Sequence, residues 1–251
     1  MTDLIPVKVI DEMNMELTRG FTKEEVVALF FQKYRSIVGT NVSNLVLNVL
    51  NHGMSVSEIN KTNIALVPKN KNPQKMTDFR PNSLCNVVYK LSSKTLANRL
   101  KAILPFIILE NQSAFVANKL ITDNILVAYE IMHYLKHKRG RNDSFMVIKL
   151  DMSKAFDRVE WSFIEMIMRK IGFDESWIDL VMKCITSVTY LVIINGSVHG
   201  SIVPTRGLKQ GDPLSPYLFL LCVEGFSALI NEAAGYIHMS GFSKNQPPVL
   251  C

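Results

Sequence analysis

Asp151 is the residue whose type and position most directly suggest chemistry. It ends residues 144–151, an apolar stretch (SFMVIKLD) that is predicted to form a buried strand. A carboxylate at a strand end can project into a cleft, where it suits Mg²⁺, a hard cation that takes few of its oxygen ligands from protein. An aspartate at this position can equally cap the following turn. Position alone leaves both readings open.

A second candidate is the segment of residues 205–216, with the sequence TRGLKQGDPLSP. Its glycines permit close backbone approach to a ligand, and the helix start predicted at Asp212-Pro213 offers free N–H groups. Gln210 could hydrogen-bond a ligand directly. The same composition also suits an ordinary connection between a hairpin and a helix, so this segment alone does not decide the function.

The first half of the chain is expected to be mainly helical. Thr22 and Glu25 form a capping-box pattern ahead of an apolar run, and His52-Gly53 is a helix stop signal. A short buried strand over residues 63–69 runs into a polar, basic loop. Helices are predicted over about the first forty residues and then over 42–51, 87–104 (closed by Pro105) and 122–138.

The second half is expected to mix strands and helices. Asn195-Gly196 suits the type I′ turn of a hairpin. Three helices are predicted: 161–171 with Ser162 and Glu165 at its start and Gly172 at its end, one capped by Asp174, and a buried one from Pro213 to Ile230 capped by Asp212. Together with the strand before Asp151, this order predicts an α+β fold.

The composition suggests a basic globular protein. The 251 residues are 48% hydrophobic and 20% charged, with 28 Lys and Arg against 22 Asp and Glu, for a net charge of +6. This surplus suits a polyanionic partner such as nucleic acid, although a basic protein without such a partner fits equally well.

The four cysteines, Cys85, Cys184, Cys222 and Cys251, are far apart and form no C-x-x-C pair. This spacing favours buried free thiols over a zinc site or a disulfide framework. The start of the chain lacks a signal-peptide pattern, and its longest apolar run is too short to span a bilayer. An intracellular protein, cytoplasmic or nuclear and without membrane partners, is expected.

Two motifs in order carry a family resemblance. The sequences KLDMSKAFDRVEW and RGLKQGDPLSPYLF resemble the reverse transcriptases of plant non-LTR (LINE-type) retrotransposons. Upstream stretches such as TNIALVPK and ENQSAFV are also similar to that family, so the resemblance covers residues 11–241. It implies an RNA-directed DNA polymerase that works on an RNA template, a DNA primer and deoxynucleoside triphosphates.

The resemblance also implies a partial right-hand polymerase fold, helix-rich with a small antiparallel palm sheet. Residues 1–50 would be an N-terminal helical extension, residues 51–143 a fingers-like region and residues 144–251 an incomplete palm. The oligomeric state is left open.

Site residues follow from the same resemblance. Asp151 matches the first catalytic aspartate, which binds both Mg²⁺ ions, and the backbone carbonyl of Met152 would add a ligand to one of them. Phe156 matches the bulky residue that lies under the sugar and rejects the 2′-hydroxyl. Asp157 belongs to the same motif and is expected to make a structural contact.

Further positions match parts of the family that contact the nucleotide. Gln210 and Gly211 match the loop that lies against the incoming nucleotide and template. Lys69 and Arg80 fall where fingers residues reach the triphosphate.

The sequence departs from the family in one decisive respect. It contains no Phe/Tyr-Ala-Asp-Asp motif, so it is expected to be truncated before that motif. Asp151 would then lack its partner carboxylates, and Mg²⁺ binding and polymerase activity are expected to be weak or absent. Asn82 replaces an apolar residue and is expected to be buried with a polar partner. A non-catalytic nucleic-acid-binding remnant and a pseudogene product are the alternative readings.

Overall fold

The computed structural model describes residues 5–29, 35–109, 112, 120–137 and 152–236. The strand predicted over residues 144–151, including Asp151, lies outside these ranges. The described elements are α1 (Asp11–Thr18), α2 (Lys23–Val27), α3 (Arg35–His52), β1 (Lys61–Pro68), β2 (Phe79–Leu84), α4 (Val87–Ile107), α5 (Ile121–His137), α6 (Trp161–Ile171), α7 (Glu175–Thr186), β3 (Thr189–Ile194), β4 (Ser197–Ile202) and α8 (Ser215–Tyr236).

The strands within the described residues form a four-stranded sheet in the order β2-β1-β3-β4. β1 is antiparallel to β2 and parallel to β3, and β3 forms a hairpin with β4. The combination of helices and sheet confirms the predicted α+β class, but this sheet is mixed rather than antiparallel. The long connection from β1 to β3 contains several helices, and such a connection can return a strand parallel to the first. The sheet takes strands from both sides of the division predicted at residue 143, and that division remains a prediction.

Several predicted helix and turn signals are confirmed. The Thr22 hydroxyl accepts the Glu25 N–H while the Glu25 carboxylate accepts the Thr22 N–H, so both halves of the capping box are present. Gly172 ends α6 in the left-handed conformation, and the Asp174 carboxylate caps α7 by accepting the Ser176 N–H. Asn195 and Gly196 have φ values of 52° and 81°, as a type I′ turn requires.

Other local predictions are wrong. α4 continues through Pro105 to Ile107: Pro105 has no N–H to donate, but the Ile108 N–H still reaches the Leu104 carbonyl at 2.9 Å. The bounds predicted for α6 are, in contrast, confirmed: it spans Trp161–Ile171 with Ser162 in its first turn, and its N-cap Glu160 makes no side-chain cap bond. Asn82 is exposed on β2 rather than buried.

The core lies among the long helices. α6 packs against α7 and α8, and α4 packs against α3 and α8. Gly225 allows α8 to approach α6 closely, since a Cβ at this position would lie 2.3 Å from Cδ1 of Ile167. Cys184 and Cys222 are buried free thiols, as expected, whereas Cys85 is a free thiol that is only half-buried. The largest fully buried side chains include Trp177, Tyr89, Leu96, Leu100, Ile164 and Met168.

Arg99 fastens the N-terminal helices to α4. Its buried guanidinium donates two hydrogen bonds to Glu25, at 3.0 and 2.9 Å, and others to the carbonyls of Leu17, Arg19 and Gly20. It also lies 3.5 Å from the centre of the Phe21 ring. The planar fork of an arginine suits several directed contacts of this kind.

The Arg99–Glu25 pair predicts a specific loss of stability in acid. Burial would raise the pKa of Glu25, but hydrogen bonds from Arg99 and from the Thr22 N–H hold that pKa below its usual value. A lowered folded-state pKa stabilises the protein above the unfolded-state pKa, and the effect is lost as the pH falls through the folded-state value. Denaturant unfolding should show Glu25→Gln less stable than the native chain at pH 7.

The gap between the two proteins should narrow progressively below about pH 4.5, where the unfolded-state carboxyl becomes protonated. Glu12→Gln, at an exposed position of α1, is the matched control and should change the free energy of unfolding by about 0.5 kcal/mol or less throughout. A difference between Glu25→Gln and the native chain that is constant from pH 7 to pH 3 would contradict this assignment.

Candidate active site

The two sequence motifs meet in the structure. The segment of residues 152–161, which follows Asp151, contacts residues 205–214, here called the glycine loop. The Gly207 N–H donates to the Val159 carbonyl at 2.8 Å, and the Leu208 N–H donates to the Phe156 carbonyl at 2.9 Å. The Trp161 indole N–H donates to the Gly207 carbonyl at 2.8 Å. Three directed bonds thus join segments that are distant in sequence.

Gly207 is required at this junction for two reasons. Its φ of 93° is rarely adopted by L-residues, and a Cβ would lie 3.2 Å from the backbone oxygen of Asp157. Asp157 itself is exposed, so its backbone makes the close contact to the loop. The expectation of a structural contact at Asp157 therefore applies to its main chain.

Phe156 and Met152 differ in their surroundings. The Phe156 ring is half-buried and stacks on Phe219 of α8, with centroids 4.9 Å apart and planes at 18°. Met152 is 52% exposed. The Phe156 ring thus packs the 152–161 segment against α8, and the Phe156 carbonyl binds the glycine loop.

Gln210 and Gly211 lie at the free edge of β2. The Ser83 N–H donates to the Gln210 carbonyl at 3.3 Å. Gly211 has a φ of 96°, and a Cβ there would lie 3.5 Å from the Asn82 side-chain oxygen. Both loop residues are exposed. The loop predicted to face a nucleotide therefore lies beside the strand that carries Arg80.

Lys69 and Arg80 lie on the same β-hairpin. Arg80 pairs with Val67 across the hairpin, and Lys69 follows β1 directly. The Lys69 ammonium donates to the Thr77 carbonyl at 2.8 Å, and the Lys69 backbone N–H donates to the Asp78 carbonyl at 2.7 Å. Both side chains are exposed. The structure brings Arg80, Gln210 and Gly211 to one strand and leaves Lys69 nearer the hairpin end.

Sequence reasoning missed a buried polar cluster inside the glycine loop. Lys209 and Asp212 are only 3% and 2% exposed, and the Lys209 ammonium lies 3.7 Å from the Asp212 carboxylate. The ammonium donates to the Asn60 side-chain oxygen at 2.5 Å and lies 3.2 Å from the centre of the Tyr89 ring. The Tyr89 hydroxyl donates to Asp212 at 2.7 Å. These four residues are here called the Lys209 cluster.

The cluster extends to the end of α7 and to the start of α8. The Asn60 amide donates to the Cys184 carbonyl at 2.8 Å and to the Ser187 hydroxyl at 2.9 Å. The second Asp212 oxygen accepts the Leu214 N–H at 3.1 Å. α8 begins at Ser215, so the prediction that Asp212 caps a helix with Pro213 at its first position is wrong. Asp212 instead closes the turn that precedes the helix.

Burial governs the electrostatics of the cluster. It lowers the pKa of Lys209, although the neighbouring Asp212 carboxylate opposes this shift. Burial, reinforced by Asp212, raises the pKa of Tyr89. Burial also raises the pKa of the Cys184 thiol to about 12. One sequence signal could have indicated this cluster: Lys209 and Asp212, which have opposite charges, flank Gln210-Gly211.

The described part of the chain holds little of a metal site. Among the described residues, no group of three or more His, Cys, Asp and Glu side chains could hold a metal ion. Of the two predicted ligands, only Met152 is described, and a single carbonyl oxygen does not make a Mg²⁺ site. Asp151 lies outside the described residues, so its role remains a prediction.

Comparison with known proteins identifies the family. Residues 67–243 match the family model described as reverse transcriptase (RNA-dependent DNA polymerase). The chain belongs to this family. Within the described ranges, no helix is long and apolar enough to cross a membrane.

Several similar proteins are named as transposon or retrotransposable-element proteins. The Xenopus laevis "Transposon TX1 uncharacterized 149 kDa protein" is 28% identical over 203 residues, covering 81% of this chain and 15% of that protein. The Drosophila melanogaster Pol polyprotein "from type-2 retrotransposable element R2DM" is 30% identical over 158 residues, covering 63% of this chain and 14% of that protein. A Popillia japonica R2 polyprotein is 35% identical over 100 residues, covering 40% and 16%.

These similarities confirm the prediction of a non-LTR retrotransposon reverse transcriptase domain. The chain spans only 14–16% of the length of these three relatives.

The junction at Gly207 predicts a selective cost of adding a side chain. Gly207→Ala should destabilise the protein by about 2–4 kcal/mol, because a strained φ is combined with contact against the Asp157 backbone. Gly200→Ala is the matched control, since Gly200 also has a positive φ, of 64°, but a Cβ there meets nothing within 4 Å. It should cost about 1–2 kcal/mol. If denaturant unfolding shows that both variants lose the same free energy of unfolding, the close contact at Gly207 is contradicted.

Proposed function

We propose that this chain is part of an RNA-directed DNA polymerase of a plant non-LTR (LINE-type) retroelement. The proposed reaction adds deoxynucleotides to a primer 3′-hydroxyl on an RNA template by two-metal phosphoryl transfer. The observation that carries the proposal is the junction between the 152–161 segment and the glycine loop, in a chain whose family match includes both. The plant assignment rests on the resemblance of KLDMSKAFDRVEW and RGLKQGDPLSPYLF.

The proposed fold is a right hand. Residues 51–143 would contribute fingers, residues 144–251 palm, and residues 1–50 an N-terminal helical extension. The sheet that joins β1 and β2 to the β3–β4 hairpin would couple the first two regions. A net charge of +6 supports binding to the sugar–phosphate backbones of template and primer.

Asp151 and the Met152 carbonyl would hold the metal ions on the proposed palm. Bound Mg²⁺ would supply activation of the primer hydroxyl and stabilisation of the leaving oxygen. In this scheme the Arg80 and Lys69 side chains bind the triphosphate, since exposed cations are accessible to phosphate oxygens and form charge-assisted hydrogen bonds with them.

Gln210 and Gly211 would form the surface against which the incoming base and sugar lie. The exposed peptide at Gly211 allows close approach by a planar base. Phe156, held by Phe219 and by the Leu208 N–H, would present a rigid apolar edge to the sugar. A fixed ring in this position leaves no room for a 2′-hydroxyl.

The role of Phe156 predicts a change in sugar discrimination. We consider the complex of the native chain with a dideoxy-terminated DNA primer on an RNA template. The next complementary dNTP should slow dissociation of this complex more than the matching rNTP does, by about tenfold or more. Phe156→Val should reduce this preference by opening space beside the sugar. Fluorescence anisotropy in a heparin trap measures the retention.

Lys101→Ala, at an exposed position of α4, is the control and should keep the preference. Retention without any nucleotide dependence in the native chain would contradict the proposed function. An unchanged preference in Phe156→Val would contradict only the role of the ring.

We further propose that catalysis requires a second acidic motif. Residues 1–251 do not supply one, since they contain no Ala-Asp-Asp sequence. One aspartate and one carbonyl would bind Mg²⁺ weakly and could not hold two ions side by side. This 251-residue chain should therefore give no Mg²⁺-dependent primer extension on an RNA template, even where it binds the duplex. Extension products that disappear in Asp151→Asn would show that these residues suffice and would overturn this requirement.

A further inference from the structure

We propose that the Lys209 cluster positions Gln210 and Gly211 for nucleotide binding, so that Lys209, Asp212, Tyr89 and Asn60 act as positioning residues. This inference rests on the proposed function. Its basis is an arrangement in which two buried charged side chains flank two exposed residues. Lys209 precedes Gln210 and Asp212 follows Gly211, and both charged side chains point inward.

The anchoring is directional on both sides of the exposed pair. On one side, the Lys209 ammonium is fixed by the Asn60 oxygen and the Tyr89 ring. On the other, the Asp212 carboxylate accepts the Tyr89 hydroxyl and the Leu214 N–H. Tyr89 therefore contacts both ends of the exposed turn. The Gln210 carbonyl between them is further held by the Ser83 N–H at 3.3 Å.

Burial of the loop does not require this cluster. Leu208 and Leu214 lie just outside the charged pair, are 4% and 0% exposed, and already anchor the loop in the hydrophobic core. A buried ion pair contributes little stability over apolar residues of similar volume, because desolvation offsets the attraction between the charges. Its hydrogen bonds, in contrast, fix distances and angles that apolar contacts leave free. The cluster is thus better suited to orienting the loop than to stabilising it.

The cluster also ties the loop to the sheet. Asn60 immediately precedes β1, and its carbonyl accepts the N–H of Thr189, the first residue of β3, at 3.4 Å. Its amide reaches the end of α7 through Cys184 and Ser187. The strand that carries Arg80, β2, pairs with β1. The hydrogen bonds of Asn60 therefore fix the position of the glycine loop relative to the β1–β2 hairpin.

Tyr89→Phe tests the proposal by removing one hydroxyl and leaving the ring over Lys209. Hydrogen exchange at the Ser83 amide, which donates to the Gln210 carbonyl, should accelerate about tenfold as the turn loosens. Retention of a dideoxy-terminated primer–template complex by the next complementary dNTP should fall by about the same factor. Affinity for the primer–template duplex without nucleotide should change less than about twofold.

Ile164→Val is the matched control, because Ile164 is fully buried in α6 and loses one methylene without affecting the cluster. It should lower unfolding stability while leaving Ser83 exchange and dNTP-dependent retention unchanged. If Tyr89→Phe behaves like Ile164→Val in both readouts, the positioning role is overturned. Asp212→Asn supplies a second variant if Tyr89→Phe does not fold, with the same expectations.

The two proposals fail in different ways. If the native chain shows no dNTP-dependent retention, the proposed function fails, and Ser83 exchange alone then decides whether the cluster positions the loop. If retention is present in the native chain and unaltered in both Tyr89→Phe and Asp212→Asn, the positioning inference fails and the proposed function stands.

Discussion

An ammonium group enclosed by protein constrains the rest of this structure. Lys209 cannot be buried without acceptors, because a charge transferred from water without partners carries a large free-energy cost. Asn60, Asp212 and the face of Tyr89 meet this requirement. Each belongs to a different part of the chain. The residue before β1, helix α4 and the glycine loop must therefore come together before Lys209 can be enclosed.

A second constraint is the close approach of the two motif segments. The backbone at Asp157 would lie unusually close to a Cβ at position 207, and the glycine loop reaches the 152–161 segment through two main-chain bonds. Phe156 then stacks on α8, the helix that follows the loop. Loop, segment and helix support one another, while Gln210 and Gly211 remain exposed beside β2. Rigid support for an exposed turn is the arrangement that a binding site requires.

Much of the fold could be predicted because its signals are local. The Thr22–Glu25 capping box, the Asp174 cap, the left-handed Gly172 and the Asn195-Gly196 turn each depend on a few neighbouring residues. Several of the errors have nonlocal causes. Asp212 was assigned to a helix start, but its partner Tyr89 lies on another element, and that contact is not visible in a sequence pattern. The parallel pairing of β1 and β3 and the exposure of Asn82 likewise depend on tertiary contacts.

The candidate site was predicted less completely than the family. Resemblance indicated Gln210, Gly211 and Arg80, and the structure places all three along β2. It did not indicate Lys209, because a lysine in a polar loop is ordinarily solvated and sequence alone does not show its burial. The roles of all the predicted site residues remain predictions: Asp151, Met152, Phe156, Lys69, Arg80, Gln210 and Gly211.

A double-mutant cycle between Tyr89 and Asp212 tests most directly whether the buried cluster is the interaction on which the loop depends. Free energies of unfolding would be measured for the native chain, Tyr89→Phe, Asp212→Ala and the double variant. We expect a coupling free energy of about 1–3 kcal/mol, because the hydroxyl and the carboxylate act through one buried hydrogen bond. Effects that add to within about 0.3 kcal/mol would contradict it, since the two groups would then stabilise the protein independently.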